Sequence, residues 1–272
     1  MKNILFLVFV VGCIPSTAQR QPLITILSYH GDVTLGGHPV AAGQVVFDDG
    51  RNLLIGGQGS YATILTETGY AQKLRKGNYS PVLLNNEPAD IKRQTSSVRE
   101  SPPIAITTAP DPPYVEIFGD SVFLLWKGTS ALKVVPPFTV SISTMFDDRL
   151  LDTLTQQSYC ALPVGSVLLQ ERSIIIQVRS SFQNMSLHSH YFPVKKMLDD
   201  DHLRVQNELQ ILAATTETER AIARIAIFDI NDLIYDVTYG LYKLRMAEKA
   251  AGVRIVNNYY QRQLKKYGME TL

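Results

Sequence analysis

The chain has 272 residues, 45% of them hydrophobic, which is too apolar for a disordered polypeptide and enough for two or three small cores. A formal net charge of +1 removes any bulk electrostatic case for nucleic acid or an anionic membrane surface. Cys13 and Cys160 are the only cysteines, so removal or lipidation of Cys13 would leave no intramolecular disulfide and each domain resting on its own core.

The N-terminus reads as an export signal. Lys2 supplies a positive start, and Ile4 to Val11 is an unbroken apolar run of signal-peptide length, too short to span a bilayer. Two processing outcomes stay open. Ser16-Thr17-Ala18 before Gln19 is a small-x-small site, giving a signal peptide over 1–18 cleaved after Ala18. Val10-Val11-Gly12-Cys13 instead resembles a lipobox, which would place a lipid anchor on Cys13. The segment is similar to the leaders of exported Bacteroidota proteins. That implies a periplasmic or other extracytoplasmic envelope location, or alternatively an outer-membrane lipoprotein. No later stretch is long and apolar enough to span a membrane.

Residues 22–83 read as short strands punctuated by turns. Asp49-Gly50 is a hairpin-type dipeptide, and Ser60 to Leu65 alternates at period two. The glycine-rich stretch from Gly56 to Gly77 is not a phosphate loop. It lacks Gly-Lys-Ser/Thr, and no helical spacing follows Gly59. Gly31, Val33, Gly37, Val40, Gly43, Gly59, Ser60, Ala62, Ile64, Gly69, Leu74 and Gly77 together form a pattern that resembles a FecR-like extracytoplasmic domain. The resemblance implies a small β-domain of the cell envelope.

Residues 84–113 are rich in Pro, Ser and Thr, with Pro102-Pro103 and Pro110-Asp111-Pro112-Pro113, and predict an exposed linker. Residues 114–197 return to strands, including Val122 to Trp126 and Ile174 to Arg179. Their number and length predict an immunoglobulin-like or fibronectin-like β-sandwich, with Trp126 as the plug between its sheets and Cys160 as a small buried hydrophobe.

From Asp199 to Leu272 the periodicity is helical, and short loops predict antiparallel helical hairpins. Three aspartates open the first helix, and Thr216 with Glu219 forms a capping box. Ile234, Val237, Leu241 and Leu244 make one stripe, with Tyr235, Tyr239, Tyr242 and Met246 beside it. Gly252 is placed just past the end of that helix, and Gly268 past the last. With Tyr235, Tyr239, Leu241 and Ala247 in packing positions, the stretch from Asp229 to Gly252 loosely resembles a tetratricopeptide unit. The fold class expected is therefore mainly β plus α.

His188 and His190 share one strand face, but no third ligand stands near them in the sequence. Asp48-Asp49 and Asp147-Asp148 sit where turns belong. No catalytic, cofactor or metal residues are expected. Tyr259, Tyr260, Arg262, Lys265 and Lys266 combine aromatic and basic groups and are the candidate partner-binding face. The expectation is a non-enzymatic envelope scaffold whose helical end docks a partner protein. The alternatives are a glycan- or peptidoglycan-binding module and an enzyme with an unrecognised site.

Overall fold

The computed structural model describes residues 21–86, 102–108, 115–129, 134–182, 185–212, 216–247 and 254–272. The segment read as an export signal, with Cys13 and Ala18, and Gly252 lie outside the described residues. The chain is mixed β plus α, with several antiparallel sheets and a helical C-terminal third.

The first unit runs through β1 (Pro22–His30), β2 (Val33–Leu35), β3 (His38–Pro39), β4 (Val45–Phe47), β5 (Leu53–Ile55), β6 (Tyr61–Thr66), β7 (Ala71–Leu74), β8 (Gly77–Tyr79) and the single-turn α1 (Pro81–Leu84). Two four-stranded sheets form, ordered β4-β1-β6-β7 and β3-β2-β5-β8. They share a core that includes Ile24, Ile26, Leu35, Leu53, Ile55 and Ile64. Gly57 and Gly59 turn the chain from β5 into β6 at φ of +69° and +82°. These are turn glycines, as their spacing predicts.

The second unit holds β9 (Ile104–Ile106), β10 (Val115–Ile117), β11 (Ser121–Gly128), β12 (Phe138–Ser143), β13 (Arg149–Thr155), β14 (Tyr159–Pro163), α2 (Gly165–Gln170), β15 (Ser173–Phe182), β16 (Met185–His188) and β17 (Phe192–Lys196). One sheet is ordered β10-β17-β15-β12-β13, with β16 also on β15; the other is β14-β11-β9. The β10–β17 pair is parallel. Period-two side chains from both sheets meet in one core, where the Trp126 ring stands edge-on to Phe138 at 5.4 Å between centroids.

One expectation is corrected here. Part of the segment read as an exposed linker over 84–113 is a strand, because Ile104 and Ile106 are buried in the second core and β9 pairs with the end of β11. The two isoleucines outweigh the proline and serine signal around them.

The helices are α3 (Asp199–Gln210), α4 (Glu217–Ile230), α5 (Ile234–Met246) and α6 (Arg254–Lys266). The capping box forms as predicted: Glu219 N donates to Thr216 Oγ1, and Thr216 N donates to the Glu219 carboxylate, each at 3.1 Å. The largest core cluster belongs to the helices, and it also takes in Leu27 and Leu65 of the first unit and Phe123 of the second. The helices therefore form the joint between the two β-units. This accounts for the unbroken apolar run in β11. Val122, Leu124 and Trp126 face the core of the second unit, while Phe123 stacks on Tyr242 of α5 at 4.4 Å.

Polar contacts tighten the joint. Asn258 Nδ2 donates to the Glu67 carbonyl at 2.7 Å, and Arg254 pairs with the Glu67 carboxylate at 2.6 Å. Buried Glu208 of α3 holds the Lys73 ammonium of β7. Gly69 makes the approach of α6 possible. It sits at φ +83°, and a Cβ there would lie 2.9 Å from the Asn258 carbonyl oxygen.

Candidate functional site

The last helix engages most of its candidate partner-binding residues in contacts within the chain. Tyr259 is fully buried, and its hydroxyl donates to Asp229 Oδ2 at 3.2 Å. Burial, aided by the Asp229 charge, pushes its pKa well above the usual tyrosine value. Tyr260 is also buried. The Arg262 guanidinium lies 3.6 Å from the Tyr70 ring centre, and Lys266 Nζ donates to Asp229 Oδ1 at 3.0 Å. Lys265 is exposed. The tyrosines belong to a stripe with Ile255, Val256, Leu264 and Tyr267 that faces the core. The three-and-four spacing of that stripe was legible in the sequence.

His188 and His190 are both exposed, and among the described residues no group of three His, Cys, Asp or Glu side chains is placed to hold a metal ion. Cys160 is a free, half-buried thiol whose pKa burial raises. Asp147 takes φ +68° in the β12–β13 turn, and Asp49 holds its neighbour Arg51 at 2.5 Å, so both acidic pairs sit in turns.

A concave surface lies elsewhere. A groove of about 580 Å³ opens where α4 and α5 meet the turn between β10 and β11. Its apolar lining is Phe118, Ile225, Phe228, Tyr239 and Leu244. Phe118 is held in place by a parallel stack on His202 at 4.2 Å and by contact with Phe228. Gly240 lets α5 lie close to α4, since a Cβ there would stand 2.8 Å from Ile225 Cγ1.

Asp236 lies in the first turn of α5 at the groove wall. Its Oδ2 accepts from Phe118 N at 2.8 Å and its Oδ1 from Gly119 N at 2.7 Å. Burial raises its pKa to about 6, partly offset by these two amides. The carboxylate thus ties α5 to the second β-unit and shapes the groove.

Three cations border the groove. Arg220 and Arg224 stand four apart on α4, a like-charge spacing that weakens a helix slightly. Lys243 of α5 lies over the Tyr239 ring at 5.6 Å. None of the three has an acidic partner among the described residues. Glu217 also lines the groove and is engaged in a contact of its own. Sequence reasoning missed this site. Arg220 and Arg224 look like an ordinary solvated face, and nothing in the chain order marks Phe118 and Gly119 as their neighbours.

No protein-family model matches the chain, and no curated protein matches it significantly.

Proposed function

We propose that the chain is a non-enzymatic protein of the cell envelope that acts as a protein-interaction scaffold, and that its partner docks in the groove between α4, α5 and the β10–β11 turn. The observation that carries this is the pairing of an apolar lining with three border cations that have no acidic partner among the described residues. Protein-binding surfaces combine a desolvated apolar centre with a polar rim in this way. Asp236, the buried acid of the groove, has both oxygens occupied by backbone amides, which suits a structural tie better than a general base.

The remaining parts fit that role. The glycine pattern of the first unit supports a FecR-like β-domain. The strand order β10-β17-β15-β12-β13 against β14-β11-β9, with β10 parallel to β17, supports an immunoglobulin-like reading of the second. The leader supports export, with cleavage after Ala18 or a lipid on Cys13. The helices, which the sequence suggested as a free docking end, serve instead as the joint and offer the groove at their border with the second β-unit.

The test is a cross-linking pull-down from native envelopes with the full chain and with an Arg224→Glu/Lys243→Glu variant. Both side chains are exposed, so the melting temperature should hold while recovery of a specific partner falls about tenfold, the effect of placing wrong-sign charge at an interface. Equal recovery with both proteins would remove the groove from the reading. Recovery of cell-wall fragments alone would replace the protein partner with a glycan.

A further inference from the structure

Resting on the groove reading above, we infer that the occupant is an extended, acidic polypeptide segment in which a large apolar side chain lies between two carboxylates. The charges set its sign. Arg220, Arg224 and Lys243 have no acidic partners among the described residues, whereas the two acids of the lining are already engaged, Asp236 by two amides and Glu217 by its own contact. A ligand that supplies carboxylates completes the border, and one that supplies ammonium groups meets three like charges.

The spacing of the arginines fits an extended conformation. Residues four apart on a helix are separated by about 6 Å along its axis. In an extended strand, residues two apart lie on one face at about 6.6 Å. A Glu-x-Glu segment in extended form therefore matches Arg220 and Arg224. The residue between the two acids points to the opposite side of the strand, leaving it to the apolar lining around Phe118 and Leu244.

The test uses three fluorescein-labelled peptides with identical Gly-Ser flanks, carrying Glu-Phe-Glu, Glu-Ala-Glu or Lys-Phe-Lys at the centre. Fluorescence anisotropy is read against the full chain. The Glu-Phe-Glu peptide should bind at least about tenfold tighter than either other peptide, and its affinity should weaken between about 50 mM and about 300 mM NaCl. Arg224→Glu should reverse the preference between the Glu and Lys peptides. Ala221→Trp, which fills the groove from α4, should abolish binding. Equal binding of the Glu and Lys peptides, or indifference to Arg224→Glu, overturns the inference. If Ala221→Trp still releases a partner from native envelopes while no peptide preference appears, the acidic-segment inference falls and the groove reading stands. If Ala221→Trp changes neither, both fall.

Discussion

Asp236 is a residue whose chemistry the fold alters. It is buried, and its pKa of about 6 lies above the ordinary carboxylate value of 3.8 because desolvation outweighs the two amide bonds. Between those two values the folded chain binds more protons than the unfolded chain. The contribution of this group to stability is therefore greatest below pH 3.8 and is lost as pH rises through about 6. The full effect is on the order of 3 kcal/mol. Asp236→Asn cannot ionise, so wild-type stability relative to this variant should decline across that window. Thermal unfolding of both proteins at a series of pH values checks this. Parallel curves would mean that Asp236 titrates as an ordinary surface acid.

Among elements, α6 shows how a helix can be bound through one glycine. Gly69 and Gly59 have nearly the same backbone conformation, at φ +83° and +82°. They differ in surroundings: a Cβ on Gly59 meets open space, and one on Gly69 meets the Asn258 backbone of α6. Gly59→Ala should cost only the left-handed strain of about 1–2 kcal/mol. Gly69→Ala adds a clash with a backbone that cannot swing aside, and should exceed it by about 1 kcal/mol or more. Urea unfolding of the two variants measures the difference. Equal losses would show that α6 does not need the close approach.

For the whole molecule, the placement of the helices predicts shared unfolding. Leu27 and Leu65 of the first β-unit and Phe123 of the second belong to one cluster with α4, α5 and α6. Separating either unit from the helices would expose these side chains at about 25 cal/mol per Å² of apolar surface. Calorimetry should therefore show one transition, with calorimetric and van't Hoff enthalpies in agreement. Two resolved transitions would mean that the β-units melt independently of the joint.

Local physics is legible in the chain. Glycines that need positive φ mark the turns of the first unit, Thr216 and Glu219 announce the start of α4, and period-two apolar residues place Trp126 in a strand core. These features depend on neighbours a few residues away, so sequence order carries them. The outward face of β11, the strand at Ile104–Ile106 and the inward turn of Tyr259 and Tyr260 depend on which surfaces meet. The same holds for the groove, where Phe118 and Gly119 meet Asp236 across 117 or more positions. An aromatic and basic helix reads alike whether its aromatic stripe faces a partner or the chain's own β-sheet. The stripe here lies against the first unit because burying Leu27 and Leu65 removes apolar surface from water, and that contact exists only once the chain has folded.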